Sequence, residues 1–167
     1  MIVNKGSLPQ NSILKDTKKA VDYIDSYSFE TTNNNLSMSE LYILIFSTTP
    51  KWVDYLLRLR NKIVSVFGLK TEEKKQTHAN FSIGDKVGIF KMYAIQKNEI
   101  VAGEDDKHLN FRVSIYREVD LKTTVTVSTL VYYNNIFGKI YFAIVAPFHK
   151  LIVKSLLKNS ANAINSQ

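Results

Sequence analysis

At 167 residues, with 45% hydrophobic and 22% charged residues, the chain has the length and composition of one folded domain, and a chain this long buries enough surface to need no metal or disulfide staple. It contains no cysteine, which excludes disulfides, thiolate zinc sites and cysteine nucleophiles together and leaves any metal to histidine and carboxylate. The net charge of +7 invites phosphate-bearing partners, yet the basic residues are scattered from Lys5 to Lys158 without a block of like charge, so solvated surface charge is the expectation and nucleic acid is not a predicted partner.

The polar opening, residues 1–19, reads as a loosely held N-terminal arm and has neither the apolar core nor the cleavage pattern of a secretory leader. Residues 20–160 read as a single domain and 161–167 as a flexible tail. The longest strongly apolar run near the end, Ile140 to Phe148, is far short of the roughly 20 residues of a membrane span, so a cytoplasmic location without an integral membrane segment is expected. From Ala20 the pattern alternates: Val21, Tyr23, Asp25, Tyr27 and Phe29 share one parity, which predicts a strand with one mostly apolar face. Ser37-Met-Ser-Glu40 then has the form of a capping box ahead of the apolar ELYILIF, predicting a helix there, although a buried strand fits the same residues. A second helix follows, capped by Thr49, opened by Pro50 and closed by Gly68, with Trp52, Leu56, Leu59, Ile63 and Val66 on one stripe.

After the polar loop that holds His78, four strand-like segments are predicted, Gly88–Gln96, Glu99–Glu104, His108–Arg117 and Lys122–Tyr133, joined by turns short enough to force antiparallel pairing. The chain closes on a long helix. Ile136, Ile140, Ala143, Ile144, Pro147, Phe148, Leu151 and Ile152 recur at helical spacing as the stripe to cover the sheet, beside a basic stripe of Lys150, Lys154 and Lys158. Phe137, Tyr141, Phe142 and Val145 lie off that stripe, so an apolar surface is expected on both sides of the helix. Pro147 is expected to kink it.

Three segments, TPKWVDYLLRLRNKIVSVFGLK, GEDDKHLNFRVS and YNNIFGKIYFAIVAPFHK, together resemble an uncharacterised bacterial domain-of-unknown-function family grouped with the START-like or SRPBCC superfamily. The resemblance spans roughly Ala20 to Lys158. It implies an α+β helix-grip fold: a curved antiparallel sheet wrapped around the long C-terminal helix, two short helices after the first strand, and an apolar cavity between sheet and helix. Members of the superfamily carry lipids, sterols and other hydrophobic molecules, and others are cyclases and hydrolases, so fold alone does not assign activity. Only five strands are evident, fewer than the superfamily pattern; a further one is expected within Lys70–Val87 or ELYILIF.

Three functional readings follow. The first is binding of a hydrophobic or amphipathic small molecule or lipid, without cofactor or catalysis, in the cavity beside Arg112, Tyr141, Val145, His149 and Trp52, with Arg112, His149 and Tyr141 as polar anchors. Trp52 also fits simple packing on the first strand, Arg112 a water-facing site, and His149 a packing role. The second is an enzyme using Glu104, Asp106 and His108, which share one side of an extended strand, with or without a divalent ion. Against it, Asp105-Asp106-Lys107 is also what a hairpin turn looks like, and a turn would splay the three side chains. Convergence of His108 with His149 would revive a site. The third is peripheral attachment to an anionic membrane through Lys139, Lys150, Lys154 and Lys158. No nucleophile elbow, phosphate loop, HExxH or dinucleotide fingerprint is present. Oligomeric state is left open.

Overall fold

The computed structural model describes residues 2–17, 20–32, 35–48 and 80–166. The predicted second helix, with Trp52, and the loop carrying His78 lie outside the described residues. The alternating segments form the strands expected of them: β1 (Asn4–Gly6), β2 (Tyr23–Thr31), β3 (Lys86–Val87), β4 (Phe90–Ile95), β5 (Glu99–Asp105), β6 (Leu109–Val119) and β7 (Thr123–Tyr133). They make one curved seven-stranded sheet in the order β1-β2-β7-β6-β5-β4-β3, antiparallel at every pairing. Seven strands replace the five evident from pattern. One of the additions, β3, falls in the expected Lys70–Val87 window, and the other, β1, lies in the arm. A register shift between Met92 and Ala94 leaves Tyr93 as a bulge in β4, which re-aims one side chain without breaking the ladder.

Period-two alternation gives the sheet an inner and an outer face. Tyr27 and Phe29 of β2, Val113 and Ile115 of β6, Ile100 and Ala102 of β5 and Val125 and Val127 of β7 point inward and form the main core. Among the described residues, two helices cover them. The first, α1 (Met38–Ser47), begins with the capping box read from sequence: the Ser37 hydroxyl accepts from the Glu40 N–H while the Glu40 carboxylate accepts from the Ser37 N–H. Leu41, Tyr42 and Ile45 enter the same core as Met92 and Phe81.

The second, α2 (Ile136–Asn165), starts at the Asn135 cap and continues through Pro147. It grips the sheet by Phe142, Val153, Leu156, Leu157, Ala161 and Ile164, all buried; each of these side chains larger than alanine contributes about 1.5–3 kcal/mol relative to exposure. Two expectations are corrected here. The segment 161–167 is not simply a tail, because α2 runs to Asn165 and seats Ala161 and Ile164 in the core. The Ile136–Leu151 stripe does not cover the sheet: Ile136, Ile140, Ile144, Phe148 and Leu151 face outward, and the buried face is the one carrying Phe142. Both faces of this helix are apolar, so periodicity alone could not decide which one the sheet would take.

The loosely held arm is also corrected. Leu14, with Leu8 and Ile13 beside it, packs on the outer face against Val101, Leu130 and Tyr132. Beneath it the Glu99 carboxylate, 1% exposed, accepts from the Ser12 hydroxyl at 2.6 Å and the Ile13 N–H at 2.8 Å, and from the Ser114 hydroxyl. A buried carboxylate is tolerated when several donors satisfy it. Ser26 and Ser128 bond hydroxyl to hydroxyl at 2.8 Å farther along this face.

Candidate functional site

The β5–β6 hairpin carries the conspicuous acidic run, and the structure resolves it as a turn. The Asp106 N–H donates to the Leu109 carbonyl at 3.1 Å and the Asp106 carboxylate accepts from the His108 N–H at 2.9 Å, the local bonding that favours Asp in turns. Glu104 sits opposite Phe111 on the inner face and forms a loose 3.8 Å ion pair with Lys86. The His108 ring instead meets the Asn135 side chain. The structure therefore does not bring Glu104, Asp106 and His108 together as a cluster, and among the described residues no three metal-ligating side chains gather.

What the hairpin does is hold the start of α2. Asn134 donates its backbone N–H to the His108 carbonyl at 2.9 Å and its side-chain amide to the Asp106 carbonyl at 2.6 Å, while the Asn135 amide donates to the Lys107 carbonyl. Gly138 completes the seat, since a Cβ there would lie 2.0 Å from the His108 carbonyl oxygen. The Asn-Asn pair and the glycine thus fix the angle at which α2 leaves the sheet.

Arg112 is not a ligand anchor beneath α2. Its register neighbours are Gly103 and Leu130, which belong to the outer face. There the guanidinium makes a bidentate pair with Asp105, at 2.8 and 3.1 Å, and stacks 3.6 Å above the Tyr93 ring. Tyr93 in turn donates to Asp105 at 2.8 Å. Hydrogen bonding by Arg112 outweighs burial and holds the Asp105 carboxyl below its usual range. The charge thought available for a ligand is consumed within the sheet.

A different acid occupies the inner face. Asp25, 6% exposed, accepts from the Tyr23 hydroxyl at 2.6 Å and lies 3.4 Å from Nε2 of His149 on α2. Burial alone would raise its pKa, but hydrogen bonds from His149 and Tyr23, with the charges of His149 and Lys150, outweigh that and leave it below the ordinary value. The Tyr23 phenol is pushed up, first by burial and then by bonding to the carboxylate. Thr129 is the cross-strand neighbour of Asp25 on the same face. It is 3% exposed, and its hydroxyl has no hydrogen-bond partner among the described residues.

Around this polar group stands an aromatic wall. Phe142 packs edge-on to Tyr23 at 4.7 Å and lies 6.1 Å from Tyr133 and 6.3 Å from His149. Tyr141 joins the same cluster, with Leu109 and Val131. Val145 is half-buried on α2. Of the residues expected to line a site, His149 and Tyr141 are thus brought to one region, whereas Arg112 and His108 are elsewhere. Sequence reasoning missed Asp25 and Thr129. A signal for the first existed: an acid placed in the apolar parity of the strand Tyr23–Phe29 has to find partners.

A curved antiparallel sheet gripping a long C-terminal helix, with a polar group set in an aromatic wall under that helix, defines a helix-grip domain. The chain belongs to the family described as protein of unknown function (DUF2867), whose model matches residues 18–156. No curated protein and no solved structure matches it.

Proposed function

We propose that this domain binds a small amphipathic molecule at the Asp25–Thr129–His149 group beneath the middle of α2. Its apolar body would lie along Tyr23, Tyr133 and Phe142, and its polar head beside Thr129. The observation that carries the reading is the Thr129 hydroxyl, buried without a partner among the described residues next to a satisfied carboxylate. An unmet buried hydroxyl costs about 1–3 kcal/mol, so a ligand that supplies the missing hydrogen bond recovers that free energy on binding. Sites of this kind have apolar and aromatic walls with a few placed polar groups. Because Asp25 is held ionised and already accepts from Tyr23, a neutral hydroxyl head fits better than a carboxylate, which would meet like charge.

Native mass spectrometry of the purified protein, with a thermal-shift panel of long-chain alcohols, sterols and the matching fatty acids, tests this. The reading expects retained or added mass and stabilisation by the alcohols over the acids, both reduced in Thr129→Val. Absence of any bound species and of any stabilisation across the panel would overturn it.

A further inference from the structure

The outward face of α2 carries Phe137, Ile140, Ile144, Phe148 and Leu151, each between 46% and 62% exposed. At 1.5 Å per residue this stripe runs about 21 Å, directly opposite the face that buries Phe142 and Leu157. Contiguous exposed apolar surface of this extent marks an interaction site more often than incidental exposure. Length and composition alone would let α2 cross a membrane, with a mean hydropathy of 1.5 over its most apolar window, yet its other face is committed to the sheet. Such a helix lies in an interface rather than spanning it.

The charge beside the stripe identifies what covers it. Lys139, Lys150, Lys154 and Lys158 fall along one border at helical spacing, and α2 holds no Asp or Glu from end to end. Where stripe and lysines meet, Leu151, Lys154, Ser155 and Lys158 line an open groove of about 510 Å³. Of the lysines, Lys150 and Lys154 set their ammonium groups over the rings of Tyr23 and Tyr27 in the sheet, at 5.9 and 5.5 Å. Apolar side chains flanked by basic ones, with no acid on the helix, are the composition of helices that settle at the boundary of anionic headgroups and acyl chains.

From this we infer that the domain docks on an anionic lipid surface through the outer face of α2, the stripe entering the acyl boundary and Lys139 and Lys158 meeting the headgroups. The inference is independent of the ligand reading, because it uses the opposite face of the helix.

Vesicle sedimentation with the full chain tests it, comparing phosphatidylcholine vesicles with vesicles containing phosphatidylglycerol. Binding is expected on the anionic vesicles, with loss of most of it between about 50 mM and 0.5 M salt as the charges are screened. Ile140→Gln/Ile144→Gln, at exposed positions with a good helix former, should lower binding at least about tenfold while circular dichroism and melting temperature stay unchanged. Lys139→Glu/Lys158→Glu should lower it by about tenfold or more. Absence of binding at low salt, equal binding to neutral vesicles, or full binding by the folded isoleucine variant would overturn the inference. So would light scattering that finds a dimer dissolved by that variant, since a second copy of the chain would then be the occupant.

Discussion

Oδ1 of Asp25 lies 3.4 Å from Nε2 of His149, a contact that ties the start of β2 to the middle of α2. It is the polar link between sheet and helix within an otherwise aromatic cluster, and the Tyr23 hydroxyl holds the other carboxylate oxygen at 2.6 Å. A double-mutant cycle with Asp25→Asn and His149→Gln, read by chemical denaturation, is expected to give a coupling of about 1 kcal/mol. Strict additivity of the two single changes would show that the contact contributes nothing to the grip.

Acid should loosen the domain in a definite window. Asp105 is held below its ordinary pKa by Arg112, and Asp25 by His149 and Tyr23 against the upward push of burial. A carboxyl depressed in the folded state contributes stability that is fully present above its unfolded value, near pH 4, and is lost as pH falls through the lower folded value. The melting temperature is therefore expected to hold from neutrality down to about pH 4 and then to fall, less steeply in Asp105→Asn. A decline already complete well above that pH would contradict the assignment.

The N-terminal segment depends on Glu99. In Glu99→Gln the amide oxygen keeps the Ile13 N–H only if the N–H₂ turns to the Ser12 and Ser114 hydroxyls, which must then accept instead of donate, so the charge-assisted bonds to the carboxylate are lost. A loss of about 1–3 kcal/mol is expected, or about 2–10 °C in melting temperature for a chain of this size. Hydrogen exchange should rise first over residues 12–16, which the carboxylate fastens. Unchanged protection there would mean that Leu14 and its apolar neighbours suffice.

Gly138→Ala sets two known effects against each other. In an exposed helix the change gains about 1 kcal/mol from propensity. Here the new Cβ would lie 2.0 Å from the His108 carbonyl oxygen, a backbone contact that cannot rotate away, and overpacking of this kind costs about 1–3 kcal/mol or more. Net destabilisation is expected, with shifted amide resonances through Asp106–His108. A gain in stability would show that the hairpin does not seat α2 this tightly.

Much of this architecture is legible in the residues. The meander is written as four alternating segments with short turns, and Ser37 and Glu40 announce α1 so plainly that its capping box is found intact. Asp106 behaves as turn chemistry dictates. The faces of α2 were not legible, because Ile140, Ile144 and Leu151 on one side and Phe142, Val153 and Leu157 on the other offer the sheet similar apolar area. Neither was the docking of the N-terminal segment: Leu8, Ile13 and Leu14 are too few and too irregular to show a period. Arg112 shares the polar parity of Asn110 and Ser114, which left either face open to it; its pairing opposite Gly103 and Leu130 puts it on the outer face, which the N-terminal segment partly covers. Asp25 and Thr129 meet only through the pairing of β2 with β7, a long-range register that no local pattern encodes.

Methyl-resolved NMR of Thr129 during titration with a long-chain alcohol addresses the binding reading most directly. The account predicts a saturable shift of the Thr129 methyl, with Val131 and the ring signals of Phe142 and Tyr133 moving in step and the Asp25→Asn protein responding more weakly. Shifts confined to Ile140, Ile144 and Leu151 on the outer face, with Thr129 unmoved at saturation, would contradict it.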